Sequence, residues 1–139
     1  MTFIPARLRR LAKQRAKGRC EYCKLAQEGP EATFHIDHIV PVADGGQAVE
    51  ENLAYACVSC SLFKGSRRTA RDSQTSRIVA LYNPRRSAWH NHFSWNDAYL
   101  EELTATGRAT VDALRMNRPT VVAIRQRERE LGRHPPPEL

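Results

Sequence analysis

The sequence predicts an α+β protein in which a strand hairpin and one helix form the core, a basic helix precedes the core, and further helices follow it. Three observations support this class. Two C-x-x-C pairs enclose a segment rich in branched and aromatic residues, helical patterns occupy both ends of the chain, and the 139 residues suffice for one domain with a modest core. The apolar and charged fractions, 41% and 27%, are those of an ordinary soluble protein.

The first half of the chain contains the predicted hairpin and its helix. Residues 5–17 predict a helix, because Pro5 suits a first turn, Gly18 suits a stop, and apolar residues recur at helical spacing between them. A strand is predicted over residues 33–42, after a loop at residues 27–31. The turn signal Asp44-Gly45-Gly46 and a return strand over residues 53–56 follow it, and a helix is predicted over residues 58–68.

The second half is less regular. Residues 76–82 predict a strand, and helices are predicted over residues 106–116 and 119–131. In the last helix the apolar residues share one face, and Arg125 is expected on another with the neighbouring arginines. The predicted organisation is a basic helix at residues 1–19, a core at residues 20–70, a packed C-terminal extension at residues 71–133 and a mobile tail at residues 134–139.

The four cysteines predict a metal site. Cys20 with Cys23 and Cys57 with Cys60 form two knuckles, and each tight turn directs both thiolates to one point. No window approaches the length of a membrane span and the N-terminus lacks a signal-peptide pattern, so the sequence predicts a cytoplasmic protein whose thiols stay reduced. Four sulfur ligands complete a tetrahedral zinc ion, which predicts a structural Zn²⁺ with no open position for substrate.

The net charge of +7 is concentrated in the first 20 residues, which hold seven Lys or Arg and no acidic residue. The remaining residues hold fifteen of each sign. Such asymmetry favours a polyanionic partner, usually nucleic acid, although a solvated helix face would explain it equally well.

Asp37 and His38 are adjacent near the end of the predicted strand. A carboxylate beside an imidazole suits metal-assisted phosphodiester hydrolysis, because a divalent cation polarises the phosphate and a base of near-neutral pKa deprotonates water. Taken alone, a histidine in a strand is more often a packed or surface residue.

The surrounding motifs make the resemblance specific. Cys20-Glu-Tyr-Cys23, His35-Ile-Asp37-His38-Ile-Val-Pro41, Gly45-Gly46, Glu51-Asn52-Leu53 and Cys57-Val-Ser-Cys60-Ser-Leu-Phe-Lys64-Gly65 together resemble the zinc-binding variant of the HNH endonucleases. The resemblance covers about residues 20–66. It implies a ββα-metal hairpin and helix, with one catalytic divalent ion, Mg²⁺ or Mn²⁺ or another transition metal.

The resemblance also assigns roles. It implies that His38 is the general base that activates water, that Asp37 is a ligand of the catalytic ion, and that the Asn52 amide fixes the hairpin connection. The last position of the motif departs from the family pattern, because Ser61 stands where His or Asn normally binds the ion. His35 lies two residues before Asp37, on the same face of a regular strand. It compensates as a ligand, orients Asp37, or is a structural histidine that bonds a backbone carbonyl. His92 is a further candidate for a group that supports the catalytic residues, although core packing explains it more simply.

Two basic surfaces are expected to contact DNA phosphates without reading sequence. One is the N-terminal helix, with Arg7, Arg10, Lys13 and Arg15. The other is a cationic ridge on or just beyond the core helix, with Lys64, Arg67, Arg68 and Arg71.

The sequence therefore predicts a metal-dependent DNA endonuclease with no membrane contact. Two alternatives stay open: a zinc-containing module that binds nucleic acid but is catalytically impaired at Ser61, and a zinc-clipped interaction adaptor. The sequence does not define the oligomeric state.

Overall fold

The computed structural model describes residues 3–27 and 33–137. The ends of the chain and residues 28–31 of the predicted loop therefore lie outside the described residues. The described part is a mixed α/β fold of four helices and three two-stranded antiparallel hairpins. In chain order the elements are α1 Ala6–Arg15, β1 His35–His38, β2 Leu53–Ala56, α2 Val58–Lys64, β3 Thr69–Arg71, β4 Ile78–Ala80, β5 Phe93–Asn96, β6 Tyr99–Glu102, α3 Ala105–Leu114 and α4 Pro119–Glu130.

Helix α1 lies on the β1–β2 hairpin through a narrow apolar face. Leu8 is buried on the helix and packs with Ile4 and Leu53 in a small core cluster. Arg15 secures the end of the helix, because its guanidinium donates to the backbone oxygens of Glu50 at 3.1 Å and Leu53 at 2.8 Å. The helix is thus fixed against the strand that precedes α2.

The first hairpin is antiparallel, with His35 opposite Ala56 and His38 opposite Leu53. The predicted first strand was too long. The ladder stops at His38, residues 39–40 bend away, and Val42–Asp44 form a single 3₁₀ turn that ends at Gly45 with φ of 86°. The return strand was predicted correctly, at Leu53–Ala56.

Helix α2 begins at the second knuckle and is shorter than predicted, because Gly65 ends it with φ of 56°. Beyond it, the strand predicted over residues 76–82 is present but shorter, as β4 Ile78–Ala80. Its partner β3 and the whole β5–β6 hairpin were missed from the sequence. The turn between β3 and β4 is organised by Asp72, whose carboxylate accepts from Gln74, Thr75 and Arg108. The turn between β5 and β6 places Asp97 at φ of 53°, a conformation that Asp tolerates.

The C-terminal helices close the main core. Thr104 caps α3 by accepting from the Gly107 amide at 3.0 Å. The expected outward position of Arg125 on α4 was wrong: the residue is 3% exposed, and its guanidinium donates to the backbone oxygens of Cys23, Ala98 and Met116. A guanidinium carries several N–H donors in one plane, so it can bond several backbone carbonyls at once. These bonds make the burial of Arg125 tolerable.

The main core joins the cysteines to the C-terminal half. The four cysteines share one buried cluster with aromatic and aliphatic residues of both halves, including Trp89, Phe93, Leu114 and Val121. Within the described ranges, no helix combines the length and apolar character that crossing a membrane requires.

Candidate active site and metal centre

The four cysteine sulfurs converge at one buried point. Their Sγ atoms all lie within 4.8 Å of one another, and those of Cys23 and Cys57 are 3.8 Å apart. A tetrahedron with Zn–S bonds of about 2.3 Å has edges of about 3.8 Å, so this arrangement fits a zinc ion. The four sulfurs would fill all four positions of a tetrahedral zinc ion and leave none for substrate. This arrangement agrees with the predicted structural role of the metal.

The four thiols lie close enough to affect one another's protonation. Hydrogen bonds from the neighbouring thiols, that of Cys20 first, hold the pKa of Cys57 far below its ordinary value, whereas burial raises the pKa of Cys20. The guanidinium of Arg118 lies 3.9 Å from the Cys57 sulfur. Since zinc binds thiolates, metal binding would release the protons that the cluster retains.

A cleft of about 470 Å³ lies beside the first strand and brings together the predicted general base His38 and the predicted ligands of the catalytic ion, but not Asn52. Strand β1 pairs only with β2 among the described residues, which leaves its other edge open. The cleft has Ile4 and Arg9 on the α1 side and Ser61 and Gly65 on the α2 side. His35, Asp37 and His38 line the same cleft.

Asp37 is held tightly within this cleft. Its side chain is 7% exposed. Its Oδ2 atom accepts a hydrogen bond from the Tyr22 hydroxyl at 3.0 Å and forms an ion pair with Lys64 Nζ at 3.1 Å. Burial raises the pKa of Asp37 above its ordinary value, and the nearby ammonium and hydroxyl offset only part of that rise. The carboxylate is thus fixed in position at the cleft wall, with both contacts on one oxygen.

The zinc framework supplies both partners of Asp37. Tyr22 lies between the two cysteines of the first knuckle, and Lys64 lies one helical turn after Cys60 on α2, where the two side chains share a buried face. The role of Tyr22 was missed from the sequence, although an aromatic residue inside a C-x-x-C pair is a visible signal. A zinc ion held by the four cysteines would therefore also help to fix the position of the Asp37 carboxylate.

His38 presents an unsatisfied polar atom. Its Nε2 atom is buried and has no hydrogen-bond partner among the described residues. A buried imidazole nitrogen without a partner costs free energy that a bound water or cation would recover. Together with the fixed carboxylate of Asp37, this nitrogen makes the cleft fit a divalent ion and its water.

Asn52 braces the connection between the two strands. Its side chain accepts from the Val40 amide at 2.7 Å and donates to the Val40 and Gln47 carbonyls, each at 3.0 Å. The chain approaches so closely here that a Cβ on Gly46 would lie 1.7 Å from the Val40 oxygen. This bracing fixes the backbone two residues beyond His38.

The expected cationic ridge needs correction. Lys64 is 2% exposed and neutralised by Asp37, so it is not a surface cation. Arg67 is exposed, but its guanidinium donates to the backbone oxygens of Phe63 at 2.5 Å and Ala113 at 3.2 Å. Arg71 is also exposed, but its guanidinium donates to the Ser76 backbone oxygen at 2.5 Å. Of the four ridge residues, Arg68 alone has an exposed side chain without a partner among the described residues.

The basic face of α1 agrees better with the prediction than the cationic ridge does. Arg7, Arg10 and Lys13 are exposed, and their spacing of three places them on one side of the helix, away from buried Leu8. Arg15 was expected on this face, but it turns toward β2 and is bound there, and burial lowers its pKa. Three of the four predicted contacts therefore remain available to a partner.

His92 lies apart from the cleft. Its Nδ1 atom is 2.7 Å from the Thr104 hydroxyl, and its ring packs edge-on against Tyr82. The structure thus places it in the packing of the C-terminal half.

Residues 20–67, about a third of the chain, match the family model described as HNH endonuclease. The match spans both knuckles and the cleft between them, and this family implies nuclease activity on nucleic acids. Comparison of the whole chain finds no similar protein of curated function and no similar solved structure.

Proposed function

We propose that this chain is a metal-dependent endonuclease that hydrolyses DNA phosphodiester bonds, because residues 20–67 match the HNH endonuclease family. The observation that carries the proposal is the shared cleft, which is lined both by Asp37, whose carboxylate is fixed, and by His38, whose Nε2 atom has no partner in the described chain. The zinc ion has a structural role in this proposal, and its thiolate ligands suit a reducing compartment such as the cytoplasm.

Each residue has a separate task in the proposed reaction. His38 takes the proton of the attacking water, and Asn52 keeps its backbone in register through the bonds to Val40. Asp37 holds the catalytic ion, Mg²⁺ or Mn²⁺, with His35 and Ser61 as further candidate ligands. When bound, this ion would polarise the phosphate and stabilise the charge that develops on it.

The ion pair between Asp37 and Lys64 favours a second candidate function. The ammonium at 3.1 Å already neutralises the carboxylate, and Ser61 offers only a neutral hydroxyl where the family uses a stronger ligand. A protein with these two features alone would bind nucleic acid without cutting it. The cleft and the His38 nitrogen favour the enzyme over this module.

Nicking of supercoiled plasmid distinguishes the two candidates. The proposed enzyme converts the supercoiled form to the open circle with Mg²⁺ or Mn²⁺ present, and a chelator that removes only the weakly bound ion stops the reaction. Binding of the plasmid without nicking in either metal would establish the non-catalytic module instead.

The basic face of α1 is expected to contact DNA phosphates. Replacing Arg7, Arg10 and Lys13 by alanine removes three exposed cations. The slope of log Kd against log salt should fall by up to about 0.9 for each phosphate that the helix no longer neutralises. Affinity for a short duplex, measured by fluorescence anisotropy at several salt concentrations, gives this slope.

A variant with Arg127, Arg129 and Arg133 replaced by alanine is the matched control, since it removes the same charge from the C-terminal region. If both triple variants bind equally weakly, the effect is one of net charge, and α1 has no specific role in DNA binding.

A further inference from the structure

The arginines of this chain divide into two groups by what they contact. Most bind backbone oxygens, acidic side chains or aromatic rings, as Arg85 does with Glu21 and Arg108 does with Asp72. Among the described residues that follow Lys17, the exposed cationic side chains with no hydrogen-bond, ion-pair or aromatic partner are those of Arg68, Arg77 and Arg86. An unpaired, solvated guanidinium is a ready partner for a phosphate, because it gives up no internal contact on binding.

Two of these three arginines line the same small cavity. A pocket of about 200 Å³ is lined by Arg68, Asn83 and Arg86, and Ile39 and Lys64 also belong to its wall. Lys64 also contacts the active cleft, where its ammonium binds Asp37 and lies 3.4 Å from the His38 carbonyl oxygen. Lys64 therefore connects the wall of this pocket to Asp37 and to the backbone of His38.

The surface between the cleft and this pocket is continuous. A shallow depression of about 510 Å³ shares Ser66 with the cleft and Arg68 with the pocket. Asp44 borders this depression and is the acidic residue among those that line it. A nucleic-acid strand that leaves the cleft by this path would reach both guanidiniums.

The local backbone holds both arginines in place. The Leu81 amide donates to the Arg68 carbonyl oxygen at 3.0 Å, and the Asn83 carbonyl accepts from the Arg86 amide at 3.1 Å. The turn at residues 83–86 directs its two arginines in opposite directions. Arg85 points inward to Glu21, whereas Arg86 is exposed at the pocket.

We propose that Arg68 and Arg86 form a phosphate-binding subsite that holds the substrate strand next to the scissile phosphate. The inference rests on the proposed nuclease function and adds Arg86 to the expected contacts. The two guanidiniums share one backbone phosphate, and Asn83 contributes to the wall of that site. They act as positioning residues, since the reacting atoms lie in the neighbouring cleft.

The test is binding of a 20-base-pair DNA duplex of mixed sequence in EDTA, where no cleavage occurs. The double variant Arg68→Ala/Arg86→Ala is expected to bind about tenfold more weakly and to lower the salt slope by about 1, the value for one phosphate. The control is Arg77→Ala, which removes an exposed, unpaired cation from the β3–β4 hairpin and should bind as the wild type does. Arg68→Lys/Arg86→Lys should restore the salt slope, which separates the effect of charge from a folding defect.

The outcomes for the subsite and for the enzyme are distinct. If the double alanine variant binds like Arg77→Ala while the wild type nicks plasmid, the subsite is refuted and the nuclease function stands. If the double alanine variant binds more weakly as expected but the wild type never nicks, the subsite stands in a non-catalytic protein. Absence of duplex binding by the wild type at low salt overturns both.

Discussion

Replacing His38 by alanine is expected to lower the nicking rate by about 10²–10⁴-fold, the usual contribution of a positioned general base. The Nε2 atom of His38 is buried without a partner in the described chain, and His38 lines the same cleft as Asp37. No other described histidine except His35 lines this cleft. Rates of plasmid nicking at saturating Mn²⁺, with DNA affinity measured in parallel, give the effect.

His90→Ala is the matched control, because His90 is exposed and lines a different cavity, next to Trp89 and Trp95. It should leave the nicking rate unchanged, and DNA affinity should be retained in both variants. Full nicking activity in purified His38→Ala would mean that a different group activates the water.

Removal of the zinc ion is expected to unfold the core. Binding of a structural zinc ion at neutral pH is worth about 10–16 kcal/mol in small domains, which equals or exceeds the whole stability of a typical protein. Cys57→Ser should therefore lose most of the cooperative unfolding transition measured by circular dichroism. The native protein should contain one zinc ion per chain by metal analysis, and the variant substantially less.

Ser59→Ala provides the comparison for this experiment, since Ser59 lies within the second knuckle and is not one of the four clustered sulfur residues. It should keep both the zinc ion and the unfolding transition. A metal-free Cys57→Ser protein with native stability would show that hydrophobic packing alone maintains the core. The Tyr22 and Lys64 contacts to Asp37 would then not depend on zinc.

The metal framework was the most predictable part of the molecule. Paired cysteine spacing is a local signal, and the structure brings Cys20, Cys23, Cys57 and Cys60 together as expected. The return strand of the first hairpin was also predictable, because the glycine turn that precedes it is a local signal as well. The strand before it was overextended, since bending at residues 39–40 depends on Asn52, which lies twelve residues away.

The charged residues were the least predictable. Lys64, Arg67 and Arg125 are all cations in helical patterns, and the sequence places them in solvent. Each instead satisfies oxygens contributed by distant parts of the chain: Asp37 for Lys64, Ala113 for Arg67, and Cys23 for Arg125. Such partners are set by tertiary packing, so periodicity alone cannot distinguish a phosphate contact from an internal tether. The same limit hid Tyr22, whose partner lies on another element.

Crystals of the protein soaked with Mn²⁺ test the central claim most directly, through the anomalous signal of the metal. The proposed enzyme predicts a manganese peak in the cleft at the Asp37 carboxylate, in addition to zinc at the four cysteines. An Asp37→Asn crystal treated in the same way should lose that peak and retain the zinc. A cleft without manganese in the wild type, with the Lys64 ammonium still paired to Asp37, would contradict the catalytic proposal.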